Sequence, residues 1–123
     1  MTDARMPGRP ILLVAVAAGL VLTIYLVAAS IHGDLSAEGP RLLDLPWGRV
    51  LLLDVYAGIA LFAGWIVWRE APAPAAAWIV ALILLGNVVA CIYLIRAWWR
   101  AGGDGNAFWH GQRRSLATRP PDA

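Results

Sequence analysis

Three apolar runs, 11–31, 50–68 and 76–98, constrain this chain more than any other feature. Each holds about 20 residues, and a helix of that length rises about 30 Å, the hydrocarbon thickness of a bilayer. A soluble domain of 123 residues, 60% hydrophobic and 15% charged, has too high a surface-to-volume ratio to hide that much apolar surface. The predicted fold is therefore all-α and integral to a membrane, with three transmembrane helices at those positions. Residues 1–10 form a polar N-terminal segment, 11–100 the three-span membrane domain, and 101–123 a flexible basic C-terminal tail.

The joints between the runs differ. Val27-Ala28-Ala29 resembles a signal-peptide cleavage site, but the first run exceeds a signal core and further spans follow, so an uncleaved helix is expected. Within that helix Ala15, Gly19 and Thr23 make one face of small residues suited to close packing. Residues 32–49 contain Gly33, Gly39, Pro40 and Pro46 with three acids and read as a solvated loop whose end meets the interface. By contrast, only Ala71–Pro74 and its flanks separate the second and third runs, which makes them an antiparallel hairpin. Tryptophans sit at the run ends, and Trp47, Trp68, Trp98 and Trp99 are expected to anchor them at headgroup level. After the flexible break at Ala101–Asn106, Phe108-Trp109-His110 and Arg113-Arg114 are expected to rest on an anionic membrane face.

Asp54 breaks the second run. An acid within a spanning helix costs roughly 2.5–3.5 kcal/mol on insertion scales and normally has a partner. Counting back along an antiparallel hairpin, Asp54 and Asn87 fall within about one helical turn in depth, with Arg96 about 9 Å nearer the surface. Tyr56 and Tyr93 bracket this level, so Asp54, Asn87, Arg96, Tyr56 and Tyr93 form a candidate intramembrane polar cluster. Three roles are open to Asp54: packing with Asn87 or Arg96, a proton or cation site, or a contact with another chain. Ala60 with Gly64 and Gly86 with Ala90 are small-residue pairs that fit helix contacts within or between chains.

Other chemistry lacks a constellation. No phosphate loop, nucleophile elbow or glycosidase-like acid pair occurs, so no enzyme and no catalytic residue is expected. His32 and His110 lie outside the apolar runs, and the single Cys91 lies inside one; neither a metal nor a cofactor site follows. A net charge of +2 without a basic, aromatic-interleaved patch gives no nucleic-acid surface. Three spans place Arg5, Arg9 and Arg69 on one side and Arg41, Arg49, Arg96, Arg100, Arg113, Arg114 and Arg119 on the other. The positive-inside rule then predicts an N-terminus outside and a C-terminus in the cytoplasm, and the expected location is a bacterial inner (cytoplasmic) membrane.

The hairpin region, Pro46 to Arg100, also carries a family resemblance. Pro46-Trp47, Asp54-Val55-Tyr56, Trp65-Ile66-Val67-Trp68-Arg69-Glu70, Trp78-Ile79-Val80 and Gly86 with Cys91-Ile92-Tyr93 resemble domain-of-unknown-function family fourteen-seventy-five, which has bacterial and plant members. The resemblance implies that Pro46, Trp47, Asp54, Tyr56, Trp65 and Glu70 occupy motif positions, and it brings no established activity with it. Leu45 stands where an acid often precedes the Pro-Trp pair, and Pro72 and Pro74 alter the connector.

Taken together, the residues point to an accessory or assembly subunit that uses its helices to bind membrane lipid and other subunits, or itself. The alternative is an oligomeric small transporter or proton-coupled channel that uses Asp54.

Overall fold

The computed structural model describes residues 8–111, which form six helices and no strand. They are α1 (Arg9–His32), α2 (Leu35–Asp44), α3 (Pro46–Arg69), α4 (Pro72–Leu85), α5 (Asn87–Ala101) and α6 (Gly105–His110). The protein is thus all-α, as the apolar periodicity predicts. Among the described residues two helices, α1 and α3, are long and apolar enough to cross a membrane, where the sequence predicts three.

The third run is divided at Gly86, which adopts φ 63° and ψ −143°, a conformation open essentially to glycine alone. The chain does not continue straight through this point. Trp78 and Tyr93 have ring centroids 5.1 Å apart, whereas fifteen residues of continuous helix would separate them by about 22 Å. So α4 and α5 fold back on each other as a helical hairpin, each arm rising only about 21–22 Å.

Local sequence sets the other joints. Pro46 and Pro72 each occupy the first turn of a helix, where a missing N–H costs nothing. Ala71, preceding Pro72, is extended, which ends α3 and leaves a connector of Glu70 and Ala71 only. The α3–α4 turn is therefore as tight as predicted, and α4 packs back along α3.

The stretch 32–49 is not a loop. Asp34 caps α2, its Oδ1 accepting from the Ser36 and Ala37 backbone N–H groups at 2.9 and 3.3 Å. Leu35, Leu42 and Leu43 then recur at helical spacing, and all three are exposed. Pro40 is tolerated within this short helix.

α1 packs mainly along α5. Its small face lies at the contact: Ala15 is buried, and a Cβ on Gly19 would stand 3.1 Å from the Cys91 Cβ. The core joins Ile59 and Ile66 of α3 to Ala75 and Leu82 of α4 and Val89 and Tyr93 of α5. A second cluster, Ala97, Ala101 and Phe108, seats α6 under α5. Residues 105–110 therefore depart from the expected flexible tail: Phe108 turns inward instead of resting on a membrane face. The rest of the tail, with Arg113, Arg114 and Arg119, lies outside the described residues, as does Arg5.

Candidate functional site

The polar groups of this chain converge where α3 turns into α4. Arg69 closes the last turn of α3, and Glu70 follows it in the two-residue connector. Both are buried, 3% and 7% exposed. Two long charged side chains are hidden there because α5 and α6 close over them and supply their partners.

Glu70 Oε1 is the centre of this arrangement. It accepts from the Tyr93 hydroxyl at 3.0 Å and from Arg96 Nη1 at 3.1 Å, and it lies 3.5 Å from Arg69 Nη1. Arg69 Nη1 donates in turn to the Tyr93 oxygen at 3.2 Å. The remaining donors of Arg69 face α6: Nε reaches the Phe108 carbonyl at 2.8 Å, and Nη2 the Ala107 carbonyl at 3.5 Å. A buried ion is tolerated when its donors or lone pairs are satisfied in this way. The network thereby ties α3, the connector, α5 and α6 into one unit.

Aromatic rings form its walls. The Tyr93 ring meets Phe62, Trp65 and Trp78 edge-on, at centroid distances of 5.9, 5.7 and 5.1 Å. The Arg69 guanidinium lies 5.8 Å from the Trp65 ring centroid, and that of Arg96 lies 5.3 Å from Trp78. Each adds a cation–π attraction that strengthens as water is excluded. Trp65 extends the wall to α6, stacking near Phe108 and Trp109 and donating Nε1–H to the Trp109 carbonyl at 3.3 Å.

The candidate cluster read from the sequence is only partly assembled. Tyr93 and Arg96 belong to the network, but their shared partner is Glu70, not Asp54. Asp54 and Tyr56 are exposed on α3, and Asn87 is exposed at the start of α5 beside the hairpin tip. Asp54 has no hydrogen-bond or ion-pair partner among the described residues. Of the residues that carry the family resemblance, Trp65 and Glu70 fall in the network, whereas Pro46 begins α3 and Trp47 is 78% exposed. Trp68 and Trp99 are exposed as well, while Trp98 packs partly against the Ala97–Phe108 cluster.

Sequence reasoning missed Arg69 as a buried group and missed α6 altogether. Trp65, Trp68 and Arg69 at the end of an apolar run read as an interface flank. Only the tight turn, with Glu70 next to Arg69, hinted that the two charges would share one environment. His32 bonds within its own helix, Nδ1 to the Ala28 carbonyl at 3.0 Å. No group of His, Cys, Asp and Glu among the described residues could hold a metal ion.

The architecture and the site define an all-helical protein with two helices long and apolar enough to span a membrane, closed at one end by a buried arginine–glutamate–tyrosine network. Comparison with protein-family models, with curated proteins and with solved structures finds no match.

Proposed function

We propose that this chain is a small integral membrane subunit whose outward helix faces bind a larger partner. The observation that carries this reading is Asp54. It stands on an exposed face of α3 with Leu53, Leu61 and Trp68, which are 74%, 79% and 64% exposed. In a bilayer an acid so placed is costly unless another helix supplies a donor, and the described residues of this chain supply none.

The membrane reading draws support from the same surfaces. The most apolar windows of α1 and α3 are only 6% and 11% buried, whereas the core helix of a soluble protein is mostly covered. The exposed leucines of α2 suit a helix lying in the interface.

The α4–α5 hairpin bears on orientation. If α1 and α3 span and α4–α5 enters and returns, both termini lie on one side. That side then holds Arg5, Arg9, Arg69, Arg96, Arg100, Arg113, Arg114 and Arg119, against Arg41 and Arg49 on the other. By the positive-inside rule eight against two favours both termini in the cytoplasm, in contrast to the outside N-terminus expected from three straight spans.

Affinity purification in mild detergent tests the function. A stoichiometric foreign subunit is expected, and Asp54→Leu should weaken its retention about 5- to 30-fold, the worth of one polar contact between spans. A homogeneous homo-oligomer without a foreign subunit contradicts the accessory reading. Proton or cation flux abolished by Asp54→Asn in such an oligomer would establish the transporter alternative.

A further inference from the structure

The network is unbalanced in charge. Arg69 and Arg96 share the single carboxylate of Glu70, and one helical turn beyond Arg96 stands Arg100. Arg100 is exposed and has no hydrogen-bond or ion-pair partner among the described residues. Three guanidiniums thus stand beside one carboxylate within the cluster, and even with Asp104, whose N–H bonds the Ala101 carbonyl at 2.9 Å and whose carboxylate caps α6, this end of α5 keeps a positive surplus.

Beside this surplus lies an open groove of about 370 Å³, lined by Ile92, Ile95, Arg96, Trp99 and Arg100. These positions recur at i, i+3, i+4, i+7 and i+8, so they form one stripe along α5. The stripe is divided along its length. Ile92 and Ile95 give it an apolar upper part; Trp99, 71% exposed, and Arg100 stand at its lower end. Arg96 lies between them. It engages Glu70 through Nη1 and Trp78 through its cationic face, yet its side chain remains 31% exposed.

We propose that this groove binds one anionic phospholipid, with an acyl chain along Ile92 and Ile95 and the phosphate between Arg96 and Arg100. The occupant follows from charge and polarity together. Guanidinium pairs bind phosphate oxygens through directed N–H donors, and an indole at the same depth suits the headgroup boundary. A protein segment carrying one acid could offset part of the charge, but a lipid supplies the anion and the chain in one molecule. The inference rests on the membrane reading of α1, α3 and the α4–α5 hairpin. In that reading the lipid belongs to the cytoplasmic leaflet, where anionic lipids attract basic residues.

The test uses the full-length protein in a neutral detergent, with phosphatidylglycerol or phosphatidylcholine added and bound lipid counted by native mass spectrometry. One tightly retained phosphatidylglycerol is expected, with phosphatidylcholine bound at least fivefold more weakly. Arg100→Gln should lower phosphatidylglycerol retention about fivefold, the effect of one arginine near an anionic surface. Arg100→Lys should keep most of it, and Arg41→Gln, on α2 at the opposite end, should leave it unchanged. Arg100 lies outside the Glu70 network, so the fold of these variants is retained.

Equal retention of the two lipids, or equal loss from Arg41→Gln and Arg100→Gln, overturns the site. Displacement of the lipid by millimolar inorganic phosphate overturns it too, because the groove would then be a phosphate site. Flotation with vesicles separates membrane association from lipid selectivity. Protein that floats with neither phosphatidylcholine nor phosphatidylglycerol vesicles defeats the membrane reading, whereas protein that floats equally with both and shows no lipid selectivity defeats only the lipid site.

Discussion

Glu70→Ala is expected to destabilise the folded chain by about 3–5 kcal/mol, the cost of breaking a buried ion pair and leaving its partner charged. The reason lies in what remains. Arg69 stays 3% exposed, with only the Tyr93 oxygen and the Phe108 and Ala107 carbonyls to accept its five N–H donors. Arg96 loses its carboxylate as well, but it can turn toward solvent, so its share of the loss is smaller. Glu70→Gln should cost less than alanine, because it keeps an acceptor for Tyr93 and Arg96. Denaturant titration in detergent micelles, following the tryptophan fluorescence to which Trp65 and Trp78 beside the network contribute, reads these differences. A Glu70→Ala change below about 1 kcal/mol would mean that the carboxylate does not clamp α5 and α6 to the α3–α4 turn.

The proposed membrane setting sharpens this expectation. Lipid chains are as apolar as leucine, so helices there gain little from hiding apolar surface and depend on close packing and polar contacts. The Glu70 network is the largest polar contact among the described helices, and it acts at the one end where four elements meet.

Gly86→Ala is the second large effect, expected at about 1–3 kcal/mol. Space is not the obstacle, since a Cβ at Gly86 would meet nothing within 4 Å. The cost is conformational: φ 63° with ψ −143° is strained for any L side chain. Alanine also favours continuous helix over glycine by about 1 kcal/mol, which biases 72–101 toward one straight rod. Straightening separates Trp78 from Tyr93 and withdraws Arg96 from Glu70. Gly86→Ala should therefore shift part of the population to a form with the C-terminus on the other side of the membrane, measurable by labelling from each face. Unchanged stability and a single orientation would show that residue 86 does not need the glycine-only conformation.

The spacing of apolar residues made much of this legible. The runs 11–31 and 50–68 lie within α1 and α3, and the α3–α4 turn follows from the prolines after Arg69. The small-residue face of α1 was legible too, and Gly19 meets Cys91 there. The break at Gly86 was not. A lone glycine inside an apolar run is usually tolerated in a helix, and nothing local distinguishes a packing glycine from one with positive φ. α2 was concealed by Gly39 and Pro40, although Asp34 followed by leucines at helical spacing is a start signal in hindsight.

The site was harder to read for a geometric reason. Depth along a hairpin can be counted from sequence, but rotation about each helix cannot. Asp54 and Asn87 were therefore matched by level, while α3 turns Asp54 outward and directs Ile59 and Ile66 into the core. Arg96 found its acid at the connector, and Phe108, 39 residues from Arg69, closed the network in a way no local pattern announces.

The hairpin is the central structural claim, and labelling from the two membrane faces tests it most directly. On a Cys91→Ala background, single cysteines introduced as Thr2→Cys, Glu38→Cys and Ser115→Cys would be reacted with a membrane-impermeant maleimide. With α1 and α3 spanning as proposed, the hairpin predicts that Thr2→Cys and Ser115→Cys react from one face of the membrane and Glu38→Cys from the other. Thr2→Cys and Ser115→Cys reacting from opposite faces would require 76–98 to cross as one helix, contradicting the hairpin and the topology drawn from it.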